Sequence, residues 1–269
     1  MTARRSASPL TGEPKKTDRN FVAALARGLE ILRVFKPSDG PLGNLDIAER
    51  SGLPKPTVSR LTYTLSSLGY LVYLEDIGKY RLGAPVLSLG YACLAGEDVR
   101  QVARPMMQQL ADYSGISVGF AGRDRLTMLY LESCRADTTV TLLLGVGSRI
   151  PMATTSMGRA YLAALPKDER ALLVDRIRDR SRAADWPKIR DGIDKAIDDV
   201  ATKGFTVSFG EWNPNVAAVG APFAPRNSSS VRVFNCGGPA FLLDRARLEN
   251  DLGPRLVEMV RNIKFAMVN

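Results

Sequence analysis

The side chains best placed to do chemistry in this chain are arranged for binding rather than for turnover. Residues 55–63 hold Lys55, Pro56, Thr57, Ser59, Arg60 and Tyr63, and Lys79 and Arg81 follow as two cations at alternate positions. An arginine can make paired hydrogen bonds to a guanine edge or to a phosphate. Lysines and hydroxyls at a helix start touch phosphates, helped by the positive end of the helix dipole. Together these groups suit a duplex polyanion.

Catalytic alternatives are thin. The chain has no histidine, which excludes a Ser-His-Asp triad, an imidazole base and any His-ligated metal. Cys93, Cys134 and Cys236 are scattered without a CxxC pair, so neither a zinc site nor a disulfide framework is indicated. They read as small apolar fillers in a reducing compartment. Glu132, Glu211 and Asp244 are potential acids, but no phosphate-cradling glycine loop or activated nucleophile accompanies them. The expectation is no catalytic residue, no metal and no cofactor. An enzyme carrying a DNA-binding appendage and a ligand-independent DNA-binding adaptor stand as the alternatives.

The elements that must position the basic groups can be read from spacing. Residues 45–51 fit a short amphipathic helix, with Leu45, Ala48 and Leu53 apolar and Asp46, Glu49 and Arg50 polar. Gly52 can end it in a left-handed turn. Pro54 and Pro56 open a second helix, where a missing backbone N–H costs little. Val58, Leu61, Leu65 and Leu68 then form an inward stripe. Pro56, Ser59, Arg60, Tyr63 and Ser67 lie opposite it. A preceding helix over residues 23–35 is expected to bury Ala24, Leu25, Leu29, Leu32 and Phe35. Strands over residues 70–74 and 79–82 flank Glu75-Asp76-Ile77-Gly78, a hairpin signal. Three helices followed by a basic hairpin is the order of a winged helix-turn-helix.

Charge agrees. The net charge of the 269 residues is +9, of which residues 1–96 supply +5 (13 Lys+Arg against 8 Asp+Glu). Residues 1–20 mix Ser, Pro, Lys and Arg without periodicity and read as a disordered basic tail. Residues 21–82 form the winged domain, and residues 83–97 a linker helix whose apolar side either joins the domains or pairs with a second subunit. No apolar run approaches the roughly 18 residues that span a membrane. Arg4-Arg5 is not followed by a hydrophobic segment. A cytoplasmic protein without a membrane partner is expected.

Residues 98–269 alternate helices and strands. Helices are expected over 99–113 (Val102, Met106, Leu110 and Tyr113 on one side), 158–165, 167–180, 188–203 and 244–264. Strands are expected over 117–120, 126–131, 140–144, 205–209, 216–223 and 231–236, with a turn at Gly122-Arg123-Asp124. This is an α+β unit on a largely antiparallel sheet. Thr154, Thr155 and Ser156 precede a helix over 157–165, and hydroxyls beside unpaired first-turn N–H groups make an anion-accepting site. An ordinary N-cap by one of these hydroxyls is the alternative.

LDIAERSGLPKPTVSRL, GSRIPMATTSMGRAYLA and FNCGGPAFLL together resemble the IclR family of bacterial transcription regulators. The resemblance covers nearly all of the chain after Phe21. It implies a winged helix-turn-helix joined by a linker helix to a GAF-like α/β domain that binds a small molecule. It also implies dimers, often paired into tetramers, on near-palindromic double-stranded DNA operators. Carried over by position, the effector pocket would be lined by Thr139, Leu142, Thr155, Ser156, Met157, Gly158, Ser208, Ala218, Asn235 and Gly237. Family members that bind small oxoacids often have an acid at the position of Ser208, a cysteine at Ala218 and serines at Asn235 and Gly237. This pocket is therefore less acidic and roomier. Phe209 and Trp212 add aromatic surface, with Trp212 either lining the pocket or sitting in the core or at the rim. A small carboxylate, aromatic or aliphatic, is the implied effector.

Overall fold

The computed structural model describes residues 20–36, 39–137, 142, 144–224 and 231–267. The expected basic tail, apart from Asn20, lies outside these residues. The chain divides into two compact units between Gly96 and Glu97, taken here in turn.

In the first unit α1 (Ala23–Arg33), α2 (Asn44–Ser51) and α3 (Lys55–Ser67) precede a hairpin of β1 (Leu71–Leu74) and β2 (Lys79–Leu82). Gly52 closes α2 at φ 68°, a left-handed conformation that favours glycine. The core gathers Ile31, Val34, Leu42, Ile47, Ala48, Val58, Leu65 and Leu71.

Three expected inward faces need correcting. On α1 it is Gly28, Ile31 and Val34 that are buried, while Ala24, Leu25 and Leu29 are exposed. The helix meets α3 through Gly28, whose bare backbone faces Leu61, and this rotates the leucines outward. On α2 Ile47 replaces Leu45, which is exposed. On α3 the stripe is Val58, Leu61, Thr62 and Leu65. Leu68 is exposed as the C-cap, beyond the last helical turn. Thr62 tolerates full burial because its hydroxyl donates to the Val58 carbonyl at 3.0 Å, with Asn44 Oδ1 at 3.2 Å as an alternative acceptor. The unit ends in α4 (Ala84–Ala95), an apolar helix with no buried residue; Leu87, Leu89 and Tyr91 are all exposed.

The second unit begins with α5 (Asp98–Ser114). Its six strands are β3 (Ser117–Asp124), β4 (Thr127–Cys134), β5 (Arg149–Pro151), β6 (Thr206–Phe209), β7 (Val216–Phe223) and β8 (Arg232–Pro239). They form one antiparallel sheet in the order β5-β4-β3-β8-β7-β6. α6 (Ser156–Ala164), α7 (Lys167–Arg180) and α8 (Trp186–Lys203) build a core with Ala121, Met128, Tyr130 and Val233. α10 (Gly253–Ala266), reached through the single turn α9 (Arg245–Arg247), packs with α5 on the sheet. Phe120, Phe234 and Phe223 stack there, with successive ring centroids 4.8 and 5.8 Å apart.

Local differences from the sequence reading have simple causes. α5 contacts β3, β4 and α10, so its buried set is Val99, Ala103, Met107, Leu110, Ala111 and Ser114. Val102 and Met106 are half-buried and Tyr113 is exposed. β3 runs straight through Gly122-Arg123-Asp124, and the turn comes at Arg125 with φ 57°. Of the strand expected over residues 140–144, only Leu142 and Leu144 are described, and neither is in a strand. β5 pairs with β4 instead. The terminal helix breaks into a π-helical turn at Leu248–Leu252, just before Pro254, which has no N–H to give to the preceding turn. Among the described residues no helix is long and apolar enough to cross a membrane.

Candidate functional site

Two places gather the singled-out side chains. On α3 Lys55, Pro56, Ser59, Arg60 and Tyr63 are exposed, Tyr63 at 74%, and Thr57 is half-buried. The cause is the stripe opposite: with Val58 and Thr62 fully buried, a 3.6-residue repeat turns Ser59, Arg60 and Tyr63 outward. Ser59 Oγ accepts a long 3.5 Å hydrogen bond from Asn44, which ties the helix face to the start of α2. Lys79 and Arg81 share the exposed side of β2, while Tyr80 packs on Tyr73 with ring centroids 4.9 Å apart. Leu42 bridges to Tyr80 and gives β2 a backbone partner on its outer side.

In the second unit a cleft with about 510 Å³ of unfilled space, its open mouth included, lies between the sheet and the start of α6. Its lining includes Leu142, Thr155, Ser156, Ser208, Trp212, Ala218, Asn235 and Gly237, eight of the positions singled out above. Strand register brings them together. Ser208 pairs with Ala218, Ala218 with Gly237, and Gly237 with Ser117, so one row crosses four strands. Asn235 sits in the next row between Gly220 and Gly119.

The remaining positions fall elsewhere. Met157 is fully buried in the helical core. Gly158 is pressed onto Met152, where a Cβ would come within 2.2 Å of the carbonyl oxygen. Phe209 points away from the cleft, because it neighbours Ser208 on a strand and successive side chains alternate. Thr139 lies outside the described residues. Spacing missed Ser117, Gly119, Tyr130, Leu144, Ile150 and Val216 of the lining. Cross-strand register reveals the five that sit on or beside strands, and Leu144 comes in from the loop before β5.

The hydroxyls at the start of α6 divide their work. Thr155 is the N-cap: its Oγ accepts from the Gly158 N–H at 3.1 Å and donates to the Pro151 carbonyl at 2.6 Å. The ordinary-cap alternative therefore holds for this residue. Ser208 donates to the Thr154 carbonyl at 3.1 Å. Ser156, 2% exposed, lines the cleft with its hydroxyl uncommitted among the described residues. A Cβ on Gly220 would come 2.6 Å from the Ser156 backbone, so a glycine is what lets the helix start sit directly on β7. Tyr130 faces Asn235, whose amide donates to the phenol oxygen at 3.2 Å. Burial pushes the Tyr130 phenol up to about 12, against a lowering by that hydrogen bond, so it stays protonated. Among the described residues no lining residue carries a formal charge.

Arg159, the basic residue of the glycine-basic-alanine helix start, braces the cleft from behind. Its guanidinium, almost wholly buried, donates to the Ala153 carbonyl at 2.9 Å and meets Glu211 at 2.6 Å. Glu211 precedes Trp212 in the β6–β7 turn, so one side chain ties the loop before α6 to the loop carrying the cleft's indole. A Cβ at Gly192 of α8 would lie 2.1 Å from this guanidinium. The other candidate acids also serve the fold: Glu132 holds Arg100 and Arg104 at 2.7 and 2.8 Å, and Asp244 caps the Arg247 N–H at 2.6 Å. Among the described residues no group of three or more His, Cys, Asp or Glu is placed to hold a metal ion.

Comparison with known proteins matches both units. The IclR helix-turn-helix domain model covers residues 24–75, and the model for the C-terminal part of IclR bacterial transcriptional regulators covers residues 91–264. The HTH-type transcriptional regulator TsaQ1/TsaQ2 of Comamonas testosteroni is 34% identical over 94% of this chain and 91% of its own. An IclR family transcriptional regulator from Brucella abortus, known as a crystal structure, is 49% identical with a TM-score of 0.84 over 96% of this chain and 97% of that one. An IclR homolog from Microbacterium hydrocarbonoxydans, solved in complex with 4-hydroxybenzoate, shares the fold at 20% identity and a TM-score of 0.66 over 91% of this chain and 100% of that one. A winged helix-turn-helix joined to an antiparallel α+β unit, with both family models spanning the chain, makes this protein a member of the IclR family of DNA-binding transcription regulators.

Proposed function

We propose that the chain binds a near-palindromic operator as a dimer and that a small organic carboxylate held in the second unit tunes that binding. The observation that carries the ligand reading is the Ser156 hydroxyl, uncommitted among the described residues, at the positive end of α6 and lining a concave, otherwise neutral cleft. A helix start attracts negative charge without a counter-cation, which suits a single carboxylate better than a phosphate. Trp212, Leu142, Leu144 and Ile150 supply apolar wall for a ring or a short acyl chain. On the DNA side Lys55, Thr57, Ser59, Arg60 and Tyr63 meet one groove, and Lys79 and Arg81 of the hairpin meet the flanking phosphates.

Self-association follows from two unpartnered faces in the first unit. Val22, Leu25 and Leu29 of the α1 segment and Leu87, Leu89 and Tyr91 of α4 each leave about half or more of their surface in water. Exposed apolar residues gathered on two helices in this way favour a covering partner, and a second copy covers them while spacing two recognition helices about 34 Å apart or a multiple of it. An effector that prefers one arrangement of the second unit shifts the population towards it, by no more than its differential affinity.

The test is isothermal titration of the full chain with a panel of aromatic and aliphatic acids, followed by operator binding with and without whichever acid binds. Heat from neutral or cationic ligands alone would sink the carboxylate reading. Sequence-blind DNA binding at every ligand concentration would favour the adaptor, and turnover of a bound acid would favour the enzyme.

A further inference from the structure

The cleft has a second polar pole besides the start of α6. Asn235 is more than nine-tenths buried in the lining, and its Oδ1 has no hydrogen-bond partner among the described residues. Its Nδ2 is engaged, donating to the Tyr130 hydroxyl at 3.2 Å. Because the phenol oxygen accepts there, its own proton is left to give. The pair therefore presents one vacant acceptor and one vacant donor side by side. The balance survives reversal of the amide: if Tyr130 donates to Oδ1, the phenol oxygen is the acceptor left over and Nδ2 the donor. A buried polar atom left unpaired costs about 1–3 kcal/mol, so a ligand that satisfies both groups gains discrimination.

We propose that the ligand of this cleft is an organic acid bearing a distal hydroxyl, with its carboxylate at the Ser156 end of the cleft and its hydroxyl between Asn235 and Tyr130. The proposal rests on the carboxylate reading above and adds the chemistry of the far end. A hydroxyl donates and accepts at once, matching the vacant pair in either amide orientation. A second carboxylate only accepts and would carry an unneutralised charge into a wall with no cation. An ether or ketone leaves the acceptor unmet, and an ammonium leaves the donor unmet.

Position follows from the sheet. Gly220, beneath the α6 start, is on β7, Asn235 on β8, and Gly119, beneath the Tyr130 ring, on β3. Adjacent strands lie about 4.8 Å apart, so the two poles are separated by one to two strand spacings, about 5–10 Å. That separation puts the hydroxyl across a ring or at the end of a short chain, not on the carbon next to the carboxylate. Gly119 keeps this end open: a Cβ there would come 2.4 Å from the Tyr130 ring and 2.5 Å from Asn235 Oδ1.

The experiment is calorimetric titration of the full chain with benzoate, 4-hydroxybenzoate and 4-methoxybenzoate, and with butanoate and 4-hydroxybutanoate as the pair without a ring. In at least one series the hydroxy acid should bind about ten-fold or more tightly than its unsubstituted parent, and the methoxy acid should lose that gain. In Asn235→Leu the hydroxy-to-parent affinity ratio should collapse towards one. Tyr130→Phe should reduce the same ratio, and it provides the readout if Asn235→Leu does not fold. Binding of the acids without a hydroxyl preference, or an undiminished preference in the variants, would overturn this proposal and leave the carboxylate reading standing. Failure of every acid to bind would remove both.

Discussion

The cations of α3 and β2 and those packed around the second unit's scaffold are used in opposite ways. Lys55, Arg60, Lys79 and Arg81 stand in solvent, and none has an ion pair among the described residues. In the second unit Arg100 and Arg104 are spent on Glu132, Arg159 on Glu211, Arg232 on Glu97, and Lys195 and Lys203 on Asp199. A surface that reads a polyanion must keep its charge available, and its contacts are made only when DNA arrives. A cleft that sorts small molecules works with buried, neutral, pre-placed groups, so its basic residues belong to the scaffold. Substitutions should therefore change stability and ligand affinity in the second unit, and DNA affinity alone in the first.

The largest effect is expected at Gly158. In Gly158→Ala the new methyl meets backbone of Met152 at 2.2–2.5 Å, with no flexible side chain to give way. The start of α6 must shift, at a cost of about 3 kcal/mol or more, greater than the usual gain from a better helix former. Urea denaturation measures the loss. A stable Gly158→Ala protein with unaltered ligand affinity would show that the helix start is not the rigid platform described.

Next comes Arg159→Met. Removing one partner of a buried pair leaves the other charge stranded; here Glu211 retains some water contact, which lowers the penalty to about 2 kcal/mol. The informative control is the double variant with Glu211→Gln, which should recover part of the loss, since the stranded charge is then gone. Ligand affinity should fall in the single variant, because the Trp212 loop loses its tie to the loop before α6. Loss of stability without loss of affinity would confine Arg159 to packing.

The same contrast explains what was legible beforehand. α3 and the hairpin depend on contacts between neighbours in sequence, so a 3.6-residue repeat, two prolines and a glycine suffice to place Arg60 and Tyr63 outside. On α1 periodicity points to the wrong face because Gly28 carries no hydrophobic signal, yet it is the residue through which the helix meets α3. Leu25 and Leu29 look like core by composition and are surface by packing. The cleft depends on register. Ser208, Ala218, Asn235 and Gly237 were reached only through likeness to a family, and Tyr130 and Gly119 were not reached at all. No local pattern tells that a tyrosine on β4 leans over a glycine on β3 to meet an asparagine on β8.

In the first unit Arg60→Ala should leave the denaturation midpoint unchanged, since the side chain is exposed and unpaired. It should weaken operator binding by about 1–3 kcal/mol if the guanidinium reads a base edge. Competition between operator and random duplex separates two roles. A loss confined to the operator assigns Arg60 to base reading, and an equal loss on both assigns it to phosphate contact.

The smallest effect, and the one that most sharpens the contrast, is expected from Lys79→Ala in the wing. Lys79 is at the edge of a two-stranded hairpin, exposed and without an acidic partner, so its loss removes one charge and little else. Neutralising one phosphate releases about one counterion, so the slope of log affinity against log salt should flatten by about one while the preference for operator over random DNA is kept. A cation in the second unit would behave otherwise: Lys195→Ala on α8 should leave the salt slope untouched, because Lys195 already has Asp199 at 2.6 Å. If Lys195→Ala flattened the slope as much as Lys79→Ala, free and spent cations would contribute alike, and the division of labour between the two units would rest on something other than charge pairing.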